Sequence, residues 1–425
     1  MVLDHRPALR VHGRRPLLLA VTALSLLGAP ALAYVVIGIR LGLDDLLLVA
    51  AVPLGLFIAP HRLVAALAPA WLLAPVWAEG FAVARAVTWA LALGLVLRFA
   101  VGALRLRRPN LWLALFAGVL IVSVLQPAGA GPALVSPGHD LIGVLIGLAV
   151  AAAAIAAPPD PAAVAKAIAV AGAVAAGVTL AGGAFAAGRL VGAGLNANYL
   201  GGMLALPCIA AIGLAWHARR PAWLVAAAPG AVALVQTHSR GALVAVAVGI
   251  GYLALRNRSW RQRALLVAAA ALLPILAGNP LTGLLVGERS ATELDANNAI
   301  REQALRLAVQ VAAEHPLRGI GYGMFPQYAA AAPQVGIFLN THNEYARLAC
   351  EAGVPAAALF GVLLVLALRG RRGDGEAVLC AVVVVYATGL LFGNFLSSMF
   401  VSVPFWLALG CLLASRRDRA AEGTL

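Results

Sequence analysis

The chain has 425 residues, of which 62% are hydrophobic and only 11% are charged, and its mean hydropathy is +0.93. Soluble globular domains carry about 45–50% apolar and about 25% charged residues, so this composition excludes them and indicates a polytopic membrane protein. The net charge of +14 does not indicate nucleic-acid binding, because the basic residues form short clusters between apolar runs and not one stripe with interleaved aromatic side chains.

The apolar runs predict an all-α protein with about 12–14 transmembrane helices. Helices are favoured over barrel strands because the runs are apolar on every face, and a helix satisfies its own backbone hydrogen bonds within lipid. Two runs, near 44–60 and 63–78, are short and contain prolines, which leaves their number open. The first run is expected to be retained, although residues 31–33 resemble a signal-peptide cleavage site. The predicted spans lie near residues 17–39, 44–60, 63–78, 81–104, 110–126, 140–157, 165–182, 198–216, 222–236, 241–255, 264–277, 343–368, 377–392 and 395–414.

Arginine clusters between the spans predict the orientation of the chain. Basic residues favour the cytoplasmic side, and every intervening set of spans returns the chain to that side. The long polar interruption at 278–342 then lies outside the cytoplasm. We therefore predict three regions: an N-terminal helix bundle over residues 1–277, an extracytoplasmic loop with catalytic elements over 278–342, and C-terminal transmembrane helices over 343–425.

The polar interruption contains a predicted helix. Either Asn297 or Asn298 could cap a helix that runs from Ala299 to about Glu314, and Pro316 marks its end. Its apolar residues recur on one face, which indicates a helix lying against the membrane surface. These residues are Ile300, Ala304, Leu307 and Val311.

Two arginines are candidates for binding an anion. Arg240 lies in a short turn between two spans, on the side that the charge pattern leaves poor in arginine, beside Ser239. Its guanidinium could clamp a phosphate or pyrophosphate, or it could simply reach the lipid headgroups. Arg301 in the loop helix raises the same question, since it could instead pair with Glu302 or Glu293.

His342 is the candidate general base, because it stands where the polar loop enters a hydrophobic span. An imidazole can accept a proton from a hydroxyl group near neutral pH, and Glu344 or Glu351 could orient it. The alternative is an interfacial histidine without a catalytic function. The histidines on this side do not show the close spacing of a zinc site, so no metal site is predicted.

These segments together resemble the O-antigen ligase and polymerase superfamily of bacterial envelope glycosyltransferases. The resemblance covers about residues 194–355. Its order and spacing carry more weight than any single motif. The segments are Gly194–Tyr199, Ser239–Gly241, the region of Arg301, Glu314–Phe325, Thr341–Tyr345 and Glu351–Pro355.

The resemblance implies a GT-C-like helical fold in the bacterial cytoplasmic membrane, with the active site on its outer side. It implies transfer of a glycan from an undecaprenyl-diphosphate carrier to a lipid, glycan or protein acceptor, without nucleotide sugar, metal or other cofactor. The family's turn arginine, loop arginine and histidine fall on Arg240, Arg301 and His342. Substrate-binding roles are expected for a further group: Ser239, Asn198, Asn343, Glu344 and Glu351. A polar residue that some members carry near the last outer hairpin has no clear match, although Asn394 occupies that region.

Four alternatives remain open at the level of the sequence. A polysaccharide polymerase or a protein O-oligosaccharyltransferase would use a similar donor and similar basic loops. A lipid-linked glycan flippase is an alternative of a different class, although transporters place their key charges nearer mid-membrane. A cell-wall polymerase would depend on an acidic residue of the outer loop, here Glu293 or Asp295.

Overall fold

A computed structural model describes residues 55–100, 110–125, 137–256, 291–369 and 373–422, apart from residues 56, 78, 193, 218, 219 and 334. Fourteen α-helices, one short 3-10 helix (Ala74–Val76) and one two-stranded hairpin form the regular structure of this part of the chain. The spans predicted near 17–39 and 264–277, most of the span near 44–60, and the region boundary at 277/278 lie outside the described residues. The division into three regions therefore stays a prediction.

The helices follow the order of the predicted apolar runs, and they are numbered here along the chain. The first eight are α1 (Pro60–Leu73), α2 (Gly80–Ala100), α3 (Leu111–Val124), α4 (Pro137–Ala156), α5 (Pro161–Gly182), α6 (Ala197–His217), α7 (Ala222–Gln236) and α8 (Arg240–Arg256). The remaining six are α9 (Ala291–Glu314), α10 (Phe325–Ala331), α11 (Glu344–Ala352), α12 (Val354–Leu368), α13 (Asp374–Gly389) and α14 (Met399–Glu422). The antiparallel strands β1 (Phe185–Ala186) and β2 (Arg189–Leu190) lie between α5 and α6.

Local sequence signals explain where several helices begin. The Asp160 carboxylate accepts hydrogen bonds from two backbone N–H groups of the first turn of α5, and Pro161 stands at the first helical position. Asn110 caps α3 in the same way. The Asn196 side chain accepts from the N–H groups of Asn198 and Tyr199, which starts α6. Each cap satisfies donors that a helix leaves without an internal partner.

The helices form an apolar core whose close packing depends on small residues. A Cβ added at Gly147 of α4 would lie 2.1 Å from the Trp406 Nε1 of α14, and one at Gly410 of α14 would lie 2.5 Å from the Ala151 carbonyl oxygen. Such contacts are typical of membrane helices, which gain stability from close van der Waals packing. The architecture is that of an all-α membrane protein, as the composition predicted.

Three of the described helices are long and apolar enough to cross a bilayer: α5, α6 and residues Met399–Arg416 of α14. Five more helical stretches are apolar but shorter, and they are Gly80–Val96, Leu111–Val124, Asp140–Ala156, Ala222–Gln236 and Val354–Leu368. The number of membrane crossings therefore stays a prediction.

The span predicted over 343–368 is wrong as a single helix. The chain forms α11 and α12, which are separated at Gly353, where φ is 87° and ψ is 160°. A Cβ at Gly353 would lie 2.4 Å from the Leu317 carbonyl oxygen, so the break allows the chain to pass close to the preceding loop. The break separates the charged helix α11 from the apolar helix α12.

The start predicted for the loop helix is also wrong. Helix α9 begins at Ala291, so positions 297 and 298 lie inside it and not at its start. Of the predicted apolar stripe, three members are buried and only Ile300 is exposed. The buried members pack with residues of α10 and α11, including Phe325 and Cys350, so the protein itself covers this face of α9.

Candidate active site

The turn between α7 and α8 positions Arg240. Residues Thr237 to Ser239 connect the two helices, and Arg240 is the first residue of α8. The buried Thr237 hydroxyl donates to the Leu234 carbonyl over 2.7 Å and accepts from the Ser239 N–H over 3.3 Å. His238 between them has a left-handed backbone, with φ 49°. The turn is thus held by its own side chain, and the exposed Arg240 side chain leaves from its end.

Neighbouring elements enclose this turn closely. A Cβ at Gly241 would lie 2.5 Å from the Phe392 Cβ, and one at Gly201 of α6 would lie 2.7 Å from the Ser239 Cβ. Ser239 is accordingly buried. The lack of a side chain at Gly241 therefore allows Phe392 to pack closely against the start of α8.

Helix α9 brings Arg301 to the same place. Asn298, one turn before Arg301, accepts a hydrogen bond from an Arg240 guanidinium nitrogen over 3.5 Å. Residues three apart on a helix share a face, so Asn298 and Arg301 point to the same side. Glu302, considered above as a partner for Arg301, pairs with Arg306 on the exposed face of α9. The two arginines that the sequence places 61 positions apart thus line one cavity.

This cavity holds about 110 Å³ and is lined by three guanidinium groups and no carboxylate among the described residues. Arg189, Arg240 and Arg301 line it together with Asn198, Ser239, His238 and Asn298. Apolar side chains, among them Leu206, Val385, Phe392 and Phe395, form the rest of its wall. Cations that converge without acidic neighbours create a positive potential, and guanidinium forks match the oxygen atoms of phosphate groups. The cavity is therefore suited to an anion that also carries apolar groups.

His342 lies beside this cavity and near Arg301. Its backbone is left-handed, with φ 52°, and its N–H donates to the Asn394 side-chain oxygen over 2.9 Å. The Asn394 amide nitrogen in turn donates to the Thr341 hydroxyl over 2.9 Å. Burial lowers the pKa of His342, and the positive charge of Arg301 lowers it further. The neutral imidazole, which can accept a proton, is therefore favoured near neutral pH.

Asn343 and Glu344 make contacts that fix the start of α11. The Asn343 side chain caps the helix by accepting from the N–H groups of Tyr345 and Ala346. The fully buried Glu344 carboxylate accepts from the Tyr322 hydroxyl and from the Leu396 N–H, each over 3.2 Å. Burial raises the pKa of Glu344. Neither side chain lines the cavity in the described part of the chain.

Glu351 belongs to a buried ion cluster around Arg347, which sequence reasoning missed. The fully buried Glu351 carboxylate accepts from the N–H groups of Gly323 and Phe325 and from the Arg347 Nε, each over 2.8 Å. Arg347 also bonds to Asp140 of α4 and stacks on the Tyr322 ring, 4.6 Å from its centroid. These contacts of Glu351 connect the loop before α10 to α11, and His342 is not among them. The spacing of Glu344, Arg347 and Glu351 on one helical face is the signal that could have revealed this cluster.

Among the residues that the sequence singled out, the structure brings Asn198, Ser239, Arg240 and Arg301 to one cavity and places His342 beside it. It adds Arg189, His238 and Asn298 to the cavity wall. Arg189 is buried, and its Nε donates to the Thr237 carbonyl. Within the described residues, no group of three or more His, Cys, Asp or Glu side chains could hold a metal ion.

Comparison with known proteins finds a family match for one segment of the chain. Residues 224–361 match the family model described as O-Antigen ligase. The matched segment runs from α7 into α12 and includes Arg240, Arg301 and His342. No curated protein matches the chain. The match of this segment supports membership of the O-antigen ligase superfamily.

Proposed function

We propose that this protein transfers a glycan from an undecaprenyl-diphosphate carrier to an acceptor hydroxyl group at the outer face of the bacterial cytoplasmic membrane. The observation that carries the proposal is the cavity in which Arg240 and Arg301 meet neutral polar and apolar side chains of the described part of the chain, with a half-buried histidine beside it. The family match supports glycosyl transfer of the ligase or polymerase type. The donor, the acceptor and the side of the membrane belong to the proposal.

The cavity wall matches both parts of a lipid diphosphate. The guanidinium groups of Arg240 and Arg301 offer paired N–H donors to the phosphate oxygens, and Ser239 and Asn198 add neutral polar groups. Apolar residues of α6, α13 and α14 would contact the first carbons of the polyprenyl chain. An anion bound there would replace water at the arginines and gain charge-assisted hydrogen bonds.

The transfer step would use His342 as general base. The neutral imidazole takes the proton of the acceptor hydroxyl group while the oxygen of that hydroxyl group forms a bond to the anomeric carbon of the donor glycan. The bond between that carbon and the diphosphate oxygen breaks, and its electron pair leaves with undecaprenyl diphosphate. Arg240 and Arg301 stabilise the negative charge that develops on this leaving group. His342 then loses its proton to solvent, which restores the starting state.

The cavity geometry does not distinguish a ligase from a polymerase or an O-oligosaccharyltransferase, because all three reactions share this donor and this step. They differ in the acceptor: a lipid-linked saccharide, a growing glycan or a protein hydroxyl. Supplying each acceptor class separately to the purified protein, with one labelled donor, would identify the reaction.

Purified protein in lipid nanodiscs with a labelled lipid-linked glycan provides the decisive assay. We expect His342→Ala and Arg240→Ala to abolish transfer while the thermal unfolding temperature stays unchanged. Arg306→Ala is the matched control, because Arg306 lies on the exposed face of α9 and pairs with its neighbour Glu302. Normal turnover by both site variants would exclude the mechanism. Turnover that requires an added divalent cation would contradict the metal-free reaction. In a separate test, accumulation of donor on the inner leaflet of membranes that contain these variants would favour a flippase.

A further inference from the structure

Arg189 is a buried charge at a position to which the proposed reaction assigns no step. It lies in β2, between α5 and α6, and only 9% of the residue is exposed. Its Nε donates to the Thr237 carbonyl and one terminal nitrogen donates to the Asn198 side-chain oxygen, each over 2.8 Å. A guanidinium removed from water is costly unless its donors are satisfied, so this arrangement needs both acceptors in place.

The Thr237 carbonyl stands at the C-terminal end of α7, where a helix leaves its last carbonyls without an internal partner. A cation at this end is also favoured by the helix dipole. The next residue, His238, has the left-handed backbone, and Arg240 follows two positions later. The hydrogen bond from Arg189 therefore fixes the Thr237 carbonyl at the end of α7, directly before the turn that carries Arg240.

Asn198 holds the other end of this contact. It lies in the first turn of α6, and its own N–H donates to the Asn196 side chain that caps the helix. The Arg189 guanidinium thus connects the start of α6 to the end of α7 across one wall of the cavity. The two bonds leave from different nitrogens of one planar group, so the geometry of the fork determines the spacing of the two helix ends.

We propose that Arg189 is a positioning residue that sets the placement of Arg240 in the cavity through the Thr237 carbonyl and Asn198. The inference rests on the proposed function, because it assumes that Arg240 contacts the diphosphate. The positioning role requires the planar shape of the Arg189 guanidinium group and not only its charge. A lysine at position 189 keeps the charge but cannot donate from two fixed directions, and it is expected to misplace the turn.

The test measures kcat and KM of glycan transfer for Arg189→Lys in nanodiscs, with Arg306→Lys as the control at an exposed arginine. We expect kcat/KM to fall about tenfold to hundredfold for Arg189→Lys, because a displacement of about 1 Å at a reacting centre has effects of this size. The fall should reside mainly in kcat, since Arg240 acts on charge that develops in the transition state. Wild-type kinetics for Arg189→Lys would overturn the inference.

A double-substitution cycle shows whether Arg189 acts through Arg240. In an Arg240→Lys background, Arg189→Lys should cost less than about threefold, because the guanidinium that it positions is already gone. Independent, multiplicative losses would overturn the positioning role. If Arg189→Lys does not fold, Asn198→Ala takes its place in the same cycle, since it removes one of the two acceptors. Because Asn198 also lines the cavity, the cycle and not the single variant decides: the loss of kcat should shrink in the Arg240→Lys background, and independent, multiplicative losses would overturn the positioning role.

The outcomes for Arg189 and for the proposed function are distinguishable. If Arg240→Ala and His342→Ala transfer glycan normally, the proposed function fails, whatever Arg189 does. If those two variants are inactive and Arg189→Lys keeps wild-type kinetics, the transfer mechanism stands and only the positioning role of Arg189 is overturned.

Discussion

Two groups of arginines in this protein show opposite uses of a guanidinium. Around Arg347, the carboxylates of Glu351, Glu344 and Asp140 lie within ion-pair distance. Around the cavity, Arg240 and Arg301 are accompanied by amide, hydroxyl and apolar side chains, and no described lining residue is acidic. Arg347 takes two of its three carboxylates from its own helix and the third from α4, whereas Arg240 and Arg301 come from two different helices.

The contrast separates structural charge from binding charge. The Arg347 cluster supplies all of its own counter-charges and surrounds them with the backbone N–H groups of Gly323 and Phe325. Such a cluster fixes the positions of helices and offers nothing to a ligand. The described lining of the cavity holds arginines together with neutral polar and apolar groups, and in the proposed function these arginines bind the substrate. Substitutions in the first group should therefore reduce stability, and substitutions in the second should reduce activity.

The largest effect is expected for Arg347→Met. It leaves the buried carboxylates of Glu351 and Glu344 without their cation, and breaking a buried ion pair costs about 3–5 kcal/mol. The free energy of unfolding in detergent, measured by denaturant titration, provides the check. Arg306→Met is the exposed control and should change it little. Equal stabilities of the two variants would show that the Arg347 cluster does not hold the fold.

Arg301→Ala should give the opposite result. Removing one donor to a developing negative charge typically lowers kcat about 10²-fold or more, with the free energy of unfolding nearly unchanged. Transfer rates and unfolding curves measured on the same preparation test this separation. A large loss of stability without a specific loss of kcat would place Arg301 in the structural group.

Gly353→Ala sharpens the comparison at the helix break that separates the charged helix from the apolar one. Its Cβ would meet the Leu317 carbonyl oxygen at 2.4 Å in a left-handed backbone, so we expect a loss of about 1–3 kcal/mol. Gly361→Ala in α12 is the matched control, because its Cβ would meet nothing within 4 Å. The control should be neutral or stabilising, since alanine favours helices. Thermal unfolding of both variants decides.

The smallest effect concerns pH. Because burial and the charge of Arg301 lower the pKa of His342, the neutral base persists below the ordinary histidine range, and kcat/KM should rise with pH through that lowered value. In Arg301→Gln the pKa should rise, and the rising limb of the residual activity should move to higher pH. A limb that stays in place would show that the titrating group is not His342.

The apolar helices were the most predictable part of the fold. The run predicted at 222–236 coincides with α7, and the run near 198–216 differs from α6 by one residue at each end. Hydrophobicity predicts such segments because both the lipid and the protein core require apolar side chains along the whole length of the helix. The break at Gly353 was missed because averaged hydropathy merges α11 with α12, although Glu344, Arg347 and Glu351 already marked the difference.

The candidate site was predictable only where its residues stand out locally. Arg240 and His342 interrupt or border apolar runs, and Arg301 lies in the predicted polar loop, so the local sequence indicates all three as candidates. Arg189 could not be found in this way, since its acceptor Thr237 lies 48 positions away and neither neighbourhood shows a pattern. The role of Asn394 was equally hidden, because it holds the His342 backbone across 52 positions. Contacts of this kind depend on how helices pack and not on local sequence.

The backbone at His342 has a further consequence. A left-handed conformation costs a residue with a Cβ roughly 1–2 kcal/mol, whereas glycine adopts it freely. By backbone conformation alone, glycine would therefore be more stable than histidine at position 342. The protein tolerates this small conformational cost at the residue that we propose as the proton acceptor. Glycine at this position would remove the cost and stabilise the fold, but it would also remove the imidazole and with it the proposed glycan transfer.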